Sequence, residues 1–244
     1  MSNRVDIADY RRMANLLYQV HHGHIIVNAE GRPYLLDTGA PFSVGYEPVR
    51  IAGRTFPSEY AYMGVTASCL TQRVGVPLEG LIGADILKYF NLGIYATERM
   101  VQFSQQPACG DVVVPVQAHM GVPIVSVRVG GRVRRVFLDT GASMSYLLPE
   151  AFKGLTPEGR FEDSYPLLGE FLTDVYPMDV VMGGVPCTLR FGVLPDELRS
   201  LLVAGGVEGI LGTELLRYFA LNLSMRDRVL SLELPHSLVG LAAG

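Results

Sequence analysis

Apolar residues fall along this chain in short alternating or continuous runs broken by glycine. Residues 24–36 and 123–138 each read as two β-rich runs around a glycine turn, at Gly31 and at Gly130-Gly131, and each leads into Asp-Thr-Gly. Such runs, bounded by turn residues, predict hairpins. Further hairpins are expected over 49–56 and 180–189, and closing strands over 100–103 and 229–234. Two stretches show helical spacing instead, GLIGADILKYF at 80–90 and GILGTELLRYF at 209–219, where Leu, Tyr and Phe recur on one face. Extra short helices are expected at 149–153 and 195–203, and the stretch at 6–13 stays open between helix and loose chain. The pattern predicts an all-β protein, mainly strands with a few short helices.

The elements repeat. Leu-Leu-Asp-Thr-Gly-Ala at 35–40 returns as Phe-Leu-Asp-Thr-Gly-Ala at 137–142, and the Gly-Leu-Ile-Gly run at 80–83 returns as Gly-Ile-Leu-Gly at 209–212. Gln19-Val-His-His-Gly23 matches Gln117-Ala-His-Met-Gly121 more loosely. Internal self-similarity of this kind marks a duplicated unit. Two homologous halves follow, 1–106 and 107–244.

Composition narrows the function. Hydrophobic residues make up 49% of the chain and charged residues 18%, which excludes a disordered polymer. A net charge of −4 provides no basic surface for phosphate backbones, so no nucleic-acid partner is expected. Glycine and proline, 27 and 15, suit many turns better than a helical bundle. Cys69, Cys109 and Cys187 are odd in number and unpaired in spacing, which fits a reducing compartment. No apolar leader opens the chain and no apolar run spans a membrane, so the expected location is cytoplasmic. Arginine far outnumbers lysine, read here as the composition of a GC-rich bacterium.

A single Asp at a strand end is ordinarily a turn or cap residue. Two at equivalent places in two homologous halves are different, because a pseudo-two-fold axis brings Asp37 and Asp139 to one point. Paired carboxyls can divide the work of acid and base. On these residues, Asp37-Thr38-Gly39-Ala40 with Leu81-Ile82-Gly83 and Asp139-Thr140-Gly141-Ala142 with Ile210-Leu211-Gly212, the sequence resembles the aspartic proteases of the retropepsin and pepsin superfamily. The resemblance covers nearly the whole chain. It implies two pseudo-two-fold-related lobes and an aspartic endopeptidase that binds extended peptide between them. Asp37 and Asp139 would activate water, with no metal and no cofactor. Thr38 and Thr140 would lock the loops by crossed hydrogen bonds, and Gly39 and Gly141 would set loop geometry and leave access for water. Two carboxyls about 3 Å apart repel by roughly 5 kcal/mol at an effective dielectric near 20, so they share one proton, as is established for such dyads. Ala40 and Ala142 stand where pepsin-type enzymes carry a hydroxyl, which predicts a higher working pH. Both halves lie in one chain, so a monomer is expected.

The second half is 27 residues longer between its motifs, and the surplus falls just after Asp139-Thr-Gly. It reads as a hairpin around Leu168-Gly169-Glu170-Phe171, where the resemblance places a substrate-binding flap. Tyr60, Tyr62 and Met63 are candidates for the opposite cleft wall. His21, His22 and His24 read as a surface or turn cluster without metal spacing. Arg132, Arg134 and Arg135 read as a solvated hairpin, and Glu158, Glu162 and Asp163 as solvent-facing. Two other functions compete. One is a peptide-binding or regulatory module on the same fold. The other is an actin-like ATPase or small kinase, whose phosphate hairpin Asp139-Thr-Gly-Ala-Ser143 fits and Asp37-Thr-Gly-Ala-Pro41 does not.

Overall fold

The structure, a computed structural model, describes residues 13–106, 110–165 and 168–234. Cys109 and most of the 6–13 stretch lie outside them. The first half holds β1 (Ala14–His21), β2 (His24–Ala29), β3 (Arg32–Leu36), β4 (Val44–Gly45), β5 (Val49–Ile51), β6 (Arg54–Phe56), β7 (Ala61–Tyr62), β8 (Val65–Thr66), β9 (Gly80–Ile82), β10 (Asn91–Tyr95) and β11 (Met100–Ser104). Helices α1 (Ala67–Val74) and α2 (Ala84–Leu87) flank β9. The second half holds β12 (Val112–His119), β13 (Val122–Val129), β14 (Arg132–Leu138), β15 (Ser145–Leu147), β16 (Gly159–Tyr165), β17 (Gly169–Met182), β18 (Val185–Val193), β19 (Gly209–Leu211), β20 (Ala220–Ser224) and β21 (Val229–Glu233), with α3 at Arg199–Gly205.

The hairpin turns follow from residues that tolerate positive φ. Glu30-Gly31, Ala52-Gly53, Gly130-Gly131 and Gly183-Gly184 all place two successive residues there, the geometry that matches strand twist. His22-Gly23 and Met120-Gly121 do the same and close the β1–β2 and β12–β13 hairpins. The weak Gln-x-His match in the sequence thus marks equivalent turns.

One pairing scheme occurs twice. β3 runs parallel to β9, with β4 antiparallel on the far side of β9. β14 runs parallel to β19, with β15 antiparallel on its far side. The halves are joined where β10 pairs antiparallel with β20, Asn91 opposite Ser224, giving a ribbon in the order β1-β11-β10-β20-β21-β12. One continuous apolar core runs through both halves, from Val27 and Leu36 to Leu138 and Leu211.

Some elements depart from the sequence reading. The run after Gly212 is a 3-10 turn (Thr213–Arg217) where a helix matching α2 is expected. Helix α1, capped by Thr66, has no counterpart in the sequence reading; its buried Ala67, Leu70 and Val74 carry the helical spacing. The arginine hairpin is not simply solvated. Arg134 pairs with Glu208 at 2.6 Å with its side chain only 12% exposed, and Arg135 donates to the Gly206 carbonyl. Asp163 does not simply face solvent either, since it is half-buried and accepts a hydrogen bond from the Tyr146 hydroxyl.

Candidate active site

Each Asp-Thr-Gly loop is held by the strand that follows it in space. The Asp37 amide donates to the Ile82 carbonyl at 3.0 Å, and the Asp139 amide to that of Leu211 at 2.9 Å. Two residues on, Ala84 N–H donates to the Ala40 carbonyl and Thr213 N–H to that of Ala142. Gly83 and Gly212 sit so close to these loops that an added Cβ would lie 2.8 Å from the Ala40 oxygen and 2.7 Å from the Ala142 oxygen, which is why each apolar pair must end in glycine. Their amides donate to Ser43 Oγ at 2.9 Å and Ser145 Oγ at 3.1 Å. These two buried serines were not among the sequence candidates. The signal was present: each is the sixth residue after its Asp.

The loops cross-link the halves. Thr38 N–H donates to Thr140 Oγ1 at 3.0 Å, and Thr140 N–H to Thr38 Oγ1 at 3.0 Å. Each hydroxyl donates onward to the other half, Thr38 to the Leu138 carbonyl at 2.7 Å and Thr140 to the Leu36 carbonyl at 2.8 Å. All of this is buried. Thr38→Val would leave the Thr140 amide without its acceptor and the Leu138 oxygen without this donor. We expect a loss of about 2–4 kcal/mol in urea unfolding, while Thr38→Ser stays within about 1 kcal/mol of wild type.

Asp37 and Asp139 meet across this lock. Asp37 Oδ1 accepts from the amides of Gly39 and Ala40, both at 2.9 Å, and Asp139 Oδ1 from Gly141 at 2.8 Å. The contact is reciprocal. A Cβ on Gly39 would stand 2.2 Å from Asp139 Cγ, and one on Gly141 2.5 Å from Asp37 Cγ. Burial raises the pKa of both carboxyls. For Asp37 the neighbouring Asp139 charge adds to burial and holds it well above the usual carboxylate range, while backbone amides oppose the rise. The two carboxyls lie close enough to influence each other's ionisation.

The surroundings bring together residues from both halves. Tyr165, at the end of β16, lies within electrostatic reach of Asp139, Asp37, Tyr62 and Arg73; burial pushes its phenol up to about 12. Tyr62 belongs to the short β7–β8 hairpin, so the first half also raises a small hairpin toward the cleft, and its ring contacts Phe42 at 5.0 Å. Tyr60 and Met63 are more exposed, and the Tyr60 ring packs against Tyr46 instead. Leu168, Gly169, Glu170 and Phe171 lie at the turn of β16–β17 and the start of β17. Among the described residues no cluster of His, Cys, Asp or Glu could hold a metal.

The three histidines lie at the β1–β2 turn, but His24 is not at the surface. It is half-buried beside the second loop, with Nδ1 enclosed and unpartnered and the Gly141 backbone as hydrogen-bond partner. Burial lowers its pKa, against the attraction of Asp163; His22 and Arg73 push the same way as burial. A His held below its unfolded value of 6.5 resists protonation that the unfolded chain accepts, so its contribution to stability is lost as pH falls below that value. His24→Gln should flatten this part of the decline between about pH 7 and pH 5 in urea unfolding.

No family model matches the sequence, and no curated protein does. The aspartic proteinase of Irpex lacteus superposes with a TM-score of 0.51 at 13% identity, over 94% of this chain and 99% of its own. A retropepsin-like aspartic protease from Rickettsia conorii superposes with a TM-score of 0.36 at 17% identity, over 50% of this chain and 88% of its own. With its repeated β pairing and an alignment to the Irpex enzyme that covers nearly all of both chains, the chain has the fold of the pepsin-like aspartic proteinases.

Proposed function

We propose that the protein is an aspartic endopeptidase whose two lobes, 1–106 and 107–244, each supply one carboxyl of a catalytic dyad. The observation that carries this reading is the reciprocal fit of Gly39 against Asp139 and Gly141 against Asp37, which leaves the two carboxyls room to meet. The ionised member takes a proton from water, and the protonated member donates to the scissile carbonyl oxygen. A gem-diol forms without a covalent adduct, and its collapse breaks the C–N bond as the amine is protonated. The Thr38–Thr140 lock keeps this geometry through the cycle.

The β16–β17 hairpin acts as the flap, bringing Tyr165 over the dyad and offering backbone to an extended peptide. Phe42, Tyr62 and Met63 provide an aromatic and apolar wall on the other side, which favours apolar residues next to the scissile bond. Both carboxyls come from one chain, so catalysis does not require a second copy.

The test is a cleavage-site profile of a peptide mixture by wild type and Asp139→Asn across about pH 4–8, a span reaching from the ordinary carboxyl range past the ordinary imidazole range. Cleavage between apolar residues by wild type alone is expected. No cleavage at any pH, or equal cleavage by the variant, overturns the assignment.

A further inference from the structure

The β16–β17 hairpin has a second edge that the proposed chemistry does not use. Over residues 169–175, β17 pairs with β16 along one side. On its other side it pairs with β18 only from Val175 onward, where it faces Gly192. There the ladder is cut short: the Thr173 hydroxyl accepts from the Val193 amide at 2.8 Å and donates to the Val193 carbonyl at 3.0 Å, and the chain then leaves for β15, Leu194 N–H donating to Leu147. Backbone groups alternate sides along a strand. Val175 uses its carbonyl toward β16, accepting from Glu158 at 2.8 Å, so the amides and carbonyls of Glu170 and Leu172 point to the opposite edge. No described strand pairs with them there.

That edge opens onto a groove of about 660 Å³, floored by Leu168, Phe171, Leu194 and Pro195. Its lining carries four carboxylates, Glu170, Asp174, Asp196 and Glu197, and one guanidinium, Arg160. Arg160 pairs with Asp174 at 3.1 Å, and Asp196 is only loosely approached by Arg199 at 3.9 Å. Among the described residues Glu170 and Glu197 have no ion pair. An open strand edge above an apolar floor with excess negative charge has the features that add an extended chain by backbone pairing and select its side chains by charge.

We propose that this groove docks an extended, basic polypeptide segment as an added strand on β17, with Arg or Lys alternating with apolar residues. The alternation follows from the strand: one set of side chains enters the floor and the other meets the carboxylates. The site is separate from the dyad, so the inference stands or falls apart from the hydrolytic reading.

The experiment measures fluorescence anisotropy of a labelled Arg-Val-Arg-Val-Arg-Val peptide on Asp139→Asn protein, which cannot consume the probe if the chain is a protease. Saturable binding that weakens with salt is expected, with no binding of the Glu-Val counterpart. Glu170→Gln with Glu197→Gln should weaken it about tenfold. Leu172→Pro removes the edge-facing amide and keeps every charge; proline is tolerated at such an outward position, so the fold should persist by circular dichroism while binding is lost. Equal binding by the Glu variant and the Pro variant overturns the proposal. So does a concentration-dependent dimer in sedimentation that Leu172→Pro abolishes, which would make a second copy the occupant. Tighter binding after deletion of residues 1–12, with their Arg4, Arg11 and Arg12, would make the chain's own start the occupant and overturn it as well.

Discussion

Asp37→Asn is expected to reduce peptide cleavage by at least about 10³-fold while making the protein more stable at neutral pH. The two effects have one origin. The Asn side chain keeps an oxygen for the Gly39 and Ala40 amides and presents an amide to Asp139, so the loop keeps its hydrogen bonds. It can neither hold nor release the shared proton, so the acid and base roles collapse. The stability change follows from linkage. Asp37 is held well above its unfolded value of 3.8, mainly by burial and then by the Asp139 charge. A carboxyl raised in the folded state contributes stability that is complete below the unfolded value and is lost as pH rises through the folded one. Wild type therefore loses stability on this account between acid and neutral pH, and Asp37→Asn does not. Cleavage assays paired with urea unfolding at about pH 4 and pH 7 measure both. Full activity in the variant would remove Asp37 from the chemistry; a steeper pH dependence of stability than wild type would contradict the strained pair.

The repeat was the part of the structure most legible in the sequence. Asp-Thr-Gly-Ala and the later Gly-x-x-Gly runs are short, but their backbone demands are severe: glycine is required where a Cβ would strike the Ala40 or Ala142 oxygen, and threonine where a hydroxyl must both accept and donate across the halves. Such constraints leave a signature in residue type. Hairpin turns were equally readable, because positive φ at successive positions calls for glycine. The environment of the site was not. His24 sits at the start of β2, and nothing near it in sequence indicates that the Gly141 loop of the other half encloses it. Asp163 and Arg134 look solvated along the chain, since Tyr146 and Glu208, their partners, are distant or come from another element. Helix α1 is short, and its apolar positions do not stand out among neighbouring strands. Local chemistry marks the loops; long-range packing decides what surrounds them.

Gly39→Ala and Gly141→Ala should each disable the site through the opposite half. The added Cβ at position 39 would lie 2.2 Å from Asp139 Cγ and 2.4 Å from both its carboxyl oxygens; at position 141 it would lie 2.5 Å from Asp37 Cγ. Real Cβ atoms do not approach so closely, so one carboxyl or one loop must move. The loops have little room to yield, because the Asp37 and Asp139 amides are tied to Ile82 and Leu211, and the crossed threonines bind one loop to the other. The carboxyl that moves loses its shared proton and its place opposite the partner. Misplacement by about 1 Å costs on the order of 10²-fold in a positioned reaction, and here it also breaks the proton sharing, so we expect at least about 10²-fold lower cleavage from either alanine. Neither glycine has a left-handed backbone, so the cost is steric and local. The discriminating measurement is the pH profile of residual activity. A displaced partner relieves the repulsion that helps raise Asp37, so the alkaline limb, where the protonated member is lost, should move toward lower pH. A uniform loss with the profile unchanged would mean that the alanine merely blocks substrate and that the carboxyls still meet.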